Sequence, residues 1–419
     1  MNILMMTNTY LPFVGGVERS VETFTGEYRR IGHRVIIVAP TFENEPVDEY
    51  DVIRVPALQR FNGTDFSVQL PVPGVLSAAL RDFKPDIVHS HHPFMIGDSA
   101  LRIAAQFSVP LVYTFHTFYE RYTHYVPGDS KALKRFVVAL SSGYANLCDR
   151  VFAPSFSVAS ELRRRGVRSP VDVVPTGIDV EKFNSGERER FRAELGIERG
   201  CFVLGFVSRI APEKNMEFLV SAVKRYLERN DSACFLLVGS GPSQDRVISE
   251  FVEERFRGRF FFTGTLIDKQ LVDAYHAMDT FVFASRTETQ GLVVMEAMAA
   301  GIPVVAVNGP GIGEVVRDFK NGRLIEEEDI EKFCAGIDWI WGLGGGRLWD
   351  VKECARKTAA QFSREECSRR ALLIYKSLLP GGRSRMDHSG SAWARACRRL
   401  KAEFELLKNM TRATGAAMG

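Results

Sequence analysis

The chain has 419 residues, 45% of them hydrophobic and 25% charged, with 54 Lys and Arg against 51 Asp and Glu. This ordinary globular mix excludes a disordered, collagen-like or coiled-coil chain, and at about 100–200 residues per domain the length suits two domains plus extras. A net charge of +3 lacks the excess of a strongly basic nucleic-acid binder, so no nucleic-acid partner is expected.

Short apolar runs alternate with helical patterns from the first residues. Strands are predicted at Ile3–Met6, Val35–Ala39, Val52–Val55, Ile87–Ser90, Leu111–Phe115, Val151–Ala153 and Val171–Val174. Between the first two, Val17, Val21, Phe24, Tyr28 and Ile31 recur at steps of four and three, one face of a helix. Strands buried on both faces and separated by amphipathic helices imply a parallel, doubly wound α/β domain. The pattern restarts near Cys201, with strands at Phe202–Val207, Phe235–Val238, Phe260–Phe262, Phe281–Ala284 and Val304–Val307 and helices at Asn215–Arg229 and Leu292–Ala300. The charged stretch from Pro175 to Gly200 reads as the link between the two domains. Two such domains in tandem predict a cleft faced by the carboxyl ends of both sheets, where ligands bind in these folds.

Residues 381–419 carry eight Lys and Arg against three Asp and Glu, after a run rich in Gly and Ser. A small basic appendage is expected there. Trp393, Cys397, Leu400, Phe404 and Leu407 follow steps of four and three, so the appendage reads as a helix with one apolar face. That face, with Lys131, Lys134 and Arg135, suits a membrane surface; packing on its own protein or on a partner is the other reading. No segment reads as a membrane span: the longest nearly apolar run, Gly291 to Val307, contains Glu296, Gly301 and Pro303 and breaks into a helix and a strand. Met1–Phe13 lacks the basic start of a signal peptide. Seven cysteines without a CxxC pair read as reduced thiols of a cytosolic protein, so any membrane contact is expected to be peripheral.

Four loops carry residues suited to chemistry. Gly15-Gly16-Val17-Glu18 opens the first helix; paired glycines let backbone N–H groups approach an anion, or form an ordinary strand–helix turn. Neither this loop nor Gly239-Ser240-Gly241-Pro242 is GxGxxG, which weighs against a dehydrogenase. Arg209 and Lys214 bracket the turn after the strand ending at Val207; five apart, they can clamp a diphosphate or be two solvated charges. Glu288 precedes Gly291 in a loop and Glu296 lies inside an apolar helix; they suit sugar hydroxyls, or serve as a cap and a buried structural acid. His116 ends a predicted strand, and His89, His91 and His92 end another. No carboxylate or Cys pattern completes a metal cluster with them, and the chain has no DxD pair, so no catalytic metal is expected.

Taken together, GGVE at 15–18, YTFHT at 113–117, VPTGID at 174–179, SRIAPEKN at 208–215, VGSGP at 238–242, FTG at 262–264 and ETQGLVVMEAMAAGIPVVA at 288–306 resemble glycosyltransferase family 4, retaining enzymes of GT-B architecture. HSHHPFMIG (89–97), YTFHTFYERYTHYVP (113–127) and TETQG (287–291) are similar to its branch of bacterial diacylglycerol glucosyltransferases. The resemblance implies an acceptor-side Rossmann-like domain at 1–175 with a returning helix near 365–380, a nucleotide-sugar-binding domain at 176–364, and the basic tail at 381–419. It implies that Arg209 and Lys214 hold the donor diphosphate and that Glu288 contacts the sugar hydroxyls, near the N–H groups of Thr289, Gln290, Gly291 and Leu292. It places Glu296 on the ribose, His116 by the donor sugar, Gly16 beside the phosphates, and Gly239 and Leu266 near the base. The implied reaction is metal-independent, cofactor-free transfer of a hexose from a nucleoside diphosphate sugar such as UDP-glucose to a hydroxyl. A membrane lipid such as diacylglycerol is the implied acceptor, at the inner face of the cell membrane. Phosphatidylinositol or a saccharide is the alternative acceptor. A nucleotide-sugar epimerase or phosphorylase, and an inactive nucleotide-binding module, are the other readings.

Overall fold

The computed structural model describes every residue except 14, 47, 59–67, 70–75, 77–79, 124–128, 380–391 and 419. The expected Gly/Ser linker and the end of the motif at 113–127 lie outside the described residues, as does the side chain of Trp393. The chain forms two compact units, Met1–Gly177 with Arg364–Gly419, and Ile178–Ser363.

In chain order the first unit contains β1 (Asn2–Met6), α1 (Gly16–Arg30), β2 (Arg34–Pro40), β3 (Val52–Val55), β4 (Ala57–Leu58), β5 (Val68–Gln69), β6 (Ile87–Ser90), α2 (Ile96–Phe107), β7 (Leu111–Thr114), α3 (Lys131–Ala145), β8 (Arg150–Ala153), α4 (Phe156–Arg164) and β9 (Val171–Val173). Seven strands form one sheet in the order β3-β2-β1-β6-β7-β8-β9, and all its pairings are parallel. β4 and β5 pair separately and antiparallel.

Side-chain alternation explains why the central strands are apolar throughout. Leu4, Met6, Ile36 and Val38 enter one core, while Ile3, Met5, Val35 and Ile37 enter the core on the opposite face. Strands covered on both faces need both sets. Helix α1 buries Val21, Phe24 and Tyr28 as its period predicts, but Ile31 caps the helix and is exposed.

The second unit contains α5 (Arg188–Leu195), β10 (Phe202–Val207), α6 (Met216–Arg229), β11 (Ala233–Val238), α7 (Gln244–Ser249), β12 (Phe260–Gly264), α8 (Asp268–Ala277), β13 (Thr280–Phe283), α9 (Leu292–Ala299), β14 (Val304–Val307), β15 (Gly322–Ile325), α10 (Ile330–Trp341) and α11 (Gly345–Ala360). Its sheet order is β12-β11-β10-β13-β14-β15, again all parallel. Sequence periodicity misses β15, a four-residue edge strand carrying a glycine and an arginine.

From Ile178 onward, the charged stretch expected as a link is part of this unit. Arg192 of α5 is buried; it donates to the carbonyls of Ala277 (2.8 Å) and Cys201 (3.0 Å) and to Asp279 Oδ2 (2.7 Å). Arg188 donates to Asp279 Oδ1 at 2.6 Å. A buried guanidinium needs this many acceptors, and charge-rich composition alone does not reveal them.

The chain then returns to the first unit with α12 (Arg364–Leu378), whose Cys367, Ala371, Leu372 and Tyr375 join the core containing Phe24 and Tyr28. The terminal helix α13 (Ala392–Met418) lies against α2 and α3.

Candidate active site

In each sheet the strand order reverses once, between β1 and β6 and between β10 and β13. Loops leaving the carboxyl ends of such a pair diverge and leave a crevice. Gly16 follows β1, Arg209 and Lys214 follow β10, and Glu288 follows β13, so these sit on loops of this kind; His116, Gly239 and Leu266 follow the neighbouring strands β7, β11 and β12, and Glu296 lies within α9.

In the second unit, the loop after β10 runs through a single 3-10 turn, Pro212–Lys214, and Asn215 is left-handed at φ 55° before α6 begins. The loop after β13 ends at Gly291, whose φ of 77° starts α9. These loops bring Lys214 and Glu288 together: Lys214 Nζ donates to Glu288 Oε1 at 2.5 Å, with the side chains 17% and 14% exposed. Two further bonds tie the loops, since Ser285 Oγ (3.3 Å) and Thr287 Oγ1 (3.2 Å) donate to the Glu213 carbonyl. Asn215 donates to the carbonyl of Ala284 (3.2 Å) and to Glu328 Oε1 (2.7 Å), and Arg286 also pairs with Glu328. Ser285, Thr287, Asn215 and Glu328 thus form a positioning set that the sequence reading did not single out. Asn215 and Thr287 were visible there only as members of the motifs at 208–215 and 287–291, and Ser285 and Glu328 carried no signal.

Arg209 lies on the same loop as Lys214, with an exposed side chain. Thr289 and Gln290 are held from behind. A Cβ at Gly311 would stand 2.8 Å from the Gln290 Cα, so the loop after β14 presses against their backbone. Leu292 opens α9, where the first N–H groups of a helix lack intrahelical acceptors and its dipole favours an anion. Gly239 has φ 130°, and a Cβ there would collide with the Ser208 carbonyl. Backbone bonds join the same loops: Ile210 N to Ser240 O at 2.9 Å, and Gly239 N to Gly264 O at 2.8 Å. Leu266 follows half-buried against the core.

Glu296 sits deeper. It is 5% exposed and accepts from the Tyr275 hydroxyl at 2.8 Å through Oε2. Tyr275 is therefore one partner of the kind that a carboxylate in an apolar helix requires.

In the first unit, Gly15 caps α1, and a Cβ there would lie 2.5 Å from Glu18 Oε2. Gly16 has open space where its Cβ would be. His116, half-buried after β7, shares a 2.9 Å hydrogen bond between its Nε2 and His91 Nδ1, and the two rings stack. His91 stacks in turn on His89, which is bonded to Thr114 (2.6 Å) and to the Tyr375 hydroxyl (2.5 Å). His92 Nδ1 accepts from the Asn8 N–H at 3.0 Å. Burial pulls His89 and His92 down to about 3, and burial, with the neighbouring imidazoles, holds His91 and His116 well below the usual histidine value. The cluster is neutral at pH 7. His91, a residue spacing could not link to His116, fixes the plane of that ring.

Two doubly wound parallel domains, one with a lysine–glutamate pair and a helix start gathered at the strand-order reversal, define a GT-B glycosyltransferase. Residues 14–182 match the model of Glycosyltransferase Family 4, and residues 187–346 match that of Glycosyl transferases group 1. An alpha-monoglucosyldiacylglycerol synthase of Streptococcus pneumoniae is 30% identical over 337 residues, 77% of this chain and 75% of that protein. A GDP-mannose-dependent alpha-mannosyltransferase of Corynebacterium glutamicum is 28% identical over 352 residues, 81% of this chain and 80% of that protein. Among solved structures, Anabaena HepE in complex with UDP and glucose superposes with a TM-score of 0.70 at 20% identity, covering 90% of this chain and all of that one. The chain belongs to glycosyltransferase family 4.

Proposed function

We propose that this glycosyltransferase moves a hexose, with retention, from a nucleoside diphosphate sugar to a hydroxyl of a membrane lipid. UDP-glucose as donor and diacylglycerol as acceptor are the favoured pair. The observation that carries the donor half is the Lys214–Glu288 pair beside the start of α9. A cation for phosphate and a carboxylate for sugar hydroxyls stand one bond apart, with Arg209 on the same loop. The name of the Streptococcus relative supports the acceptor half.

In this reading Arg209, Lys214 and the helix N–H groups stabilise charge that develops on the leaving diphosphate. The bond from the anomeric carbon to the phosphate oxygen breaks as the acceptor oxygen bonds on the same face, and the acceptor proton passes to the leaving phosphate. Glu288 holds the sugar hydroxyls as the ring gains oxocarbenium character, Glu296 serves the ribose, and His116 contacts the donor hexose. Charge stabilisation by these groups makes the reaction metal-independent. The enzyme works at a membrane surface, at the inner face of the cell membrane.

The test is release of nucleoside diphosphate from UDP-glucose, UDP-galactose and GDP-mannose, with vesicles containing or lacking diacylglycerol. Release from UDP-glucose that depends on diacylglycerol and yields a glycolipid is expected. A preference for GDP-mannose, the donor in the Corynebacterium relative's name, would replace the hexose and the base. Release indifferent to diacylglycerol but stimulated by a soluble saccharide would overturn the acceptor.

A further inference from the structure

The terminal helix α13 is packed inside out. Among its described side chains the buried ones are Ala402, Asn409 and Ala413, which share one side of a 3.6-residue helix. Leu400, Phe404 and Leu407 lie on the opposite side and are 66%, 63% and 67% exposed. An amphipathic helix added only to extend a core would turn its large apolar side chains inward.

Specific contacts hold this orientation. Asn409 Nδ2 donates to the Leu140 carbonyl of α3 at 3.1 Å, and a Cβ at Gly143 would collide with the Asn409 side chain. Arg102 of α2 bonds both oxygens of Glu403 at 2.6 and 3.0 Å. Arg398 donates to the Ala105 carbonyl at 3.2 Å. Small and polar residues therefore dock the helix, and the apolar stripe is left facing outward.

Beside the stripe, α3 and α13 border a groove of about 690 Å³. It is lined by Lys134, Arg135, Lys408 and Arg412 with Glu405, while Arg165 in its wall is held by Glu120 and Glu161. No described helix is long and apolar enough to cross a membrane. An exposed apolar stripe with cations along its flank is the pattern of a helix lying in a headgroup layer.

We propose that the outward face of α13 docks on a bilayer, with Leu400, Phe404 and Leu407 entering the acyl boundary and the groove cations meeting anionic headgroups. This deepens the lipid-acceptor reading above and rests on it for the choice of a bilayer. A second copy on this face is the competing occupant, which light scattering reads.

The experiment is sedimentation of the full chain with phosphatidylcholine vesicles, with and without phosphatidylglycerol, in the absence of donor. Wild type is expected to partition onto vesicles, more strongly with phosphatidylglycerol and less at high salt. The variant Leu400→Ser/Phe404→Ser/Leu407→Ser changes only exposed positions, so its circular dichroism and melting should match wild type while its partition coefficient falls at least about tenfold. The variant Lys134→Gln/Lys408→Gln/Arg412→Gln should lose only the gain from phosphatidylglycerol. A serine variant that sediments like wild type overturns the proposal. So does a wild-type dimer, seen by light scattering without vesicles, that becomes a monomer in the serine variant. Transfer to diacylglycerol in detergent micelles reads the acceptor separately: binding without transfer sinks the acceptor reading alone, and transfer without binding sinks the docking face alone.

Discussion

Lys214 Nζ lies 2.5 Å from Glu288 Oε1, although 74 residues separate the two in sequence. Each largely enclosed charge is offset by the other. A nucleoside diphosphate alone must draw Lys214 away from Glu288, whereas a complete donor also offers hydroxyls to the carboxylate. Glu288→Gln should therefore depress kcat strongly and yet tighten inhibition by nucleoside diphosphate, by about tenfold or 1.4 kcal/mol. Weaker product inhibition together with an unchanged kcat would contradict this division of roles.

Arg209→Ala or Lys214→Ala should each lower kcat/KM by about 100-fold or more, roughly 2.7 kcal/mol, if these cations meet the charge developing on the leaving group. EDTA should leave wild-type activity largely intact. Abolition by EDTA with recovery in Mg²⁺ would refute a metal-free donor site.

Glu296→Gln should mostly raise the donor KM, and Tyr275→Phe should follow it in weaker form. The tyrosine hydroxyl supplies a 2.8 Å bond to the buried carboxylate, and a hydrogen bond to a charged group is worth about 1.5–3 kcal/mol. Steady-state kinetics with melting curves would separate the effects. A fall in kcat at constant KM in both variants would place Glu296 at the reacting sugar instead.

The two singled-out loop glycines should behave differently. Gly239→Ala puts a Cβ into the Ser208 carbonyl at a φ of 130°, so stability should fall by about 1–3 kcal/mol or more. Gly16→Ala meets open space and should fold normally. An increased donor KM in that variant would mark ligand approach to Gly16, and an unchanged KM would make the loop an ordinary turn.

Acid should destabilise the histidine cluster. His89 and His92 are held at about 3 in the folded chain against an ordinary value of 6.5, and His91 and His116 are lowered as well. Below about pH 6.5 the unfolded chain binds protons that the folded cluster refuses. Stability is thus full above that pH and is lost as pH falls towards 3, by up to about 1.4 kcal/mol per pH unit for each histidine. Urea midpoints at about pH 7.5 and about pH 5.5 should differ accordingly, and the difference should shrink in His89→Gln. Equal midpoints in the wild type would show that the cluster takes up protons without unfolding.

The sequence by itself determined the parallel α/β class, twelve strands of the two main sheets to within a residue or two, and the loops bearing Gly16, His116, Arg209, Lys214, Glu288 and Glu296. Those features are local: two-sided burial writes apolar runs, and loops at strand ends carry the polar residues. Tertiary structure decided the rest. Strand order sets β10 beside β13 and so joins Lys214 to Glu288, a contact no spacing encodes. Asp279 makes a core residue of Arg192 in a stretch that reads as a linker, because a guanidinium can be buried once its donors find fixed acceptors. The period of the terminal helix showed that Leu400, Phe404 and Leu407 share a face. Only the partner surface, with Gly143 making room for Asn409, decided that this face points outward.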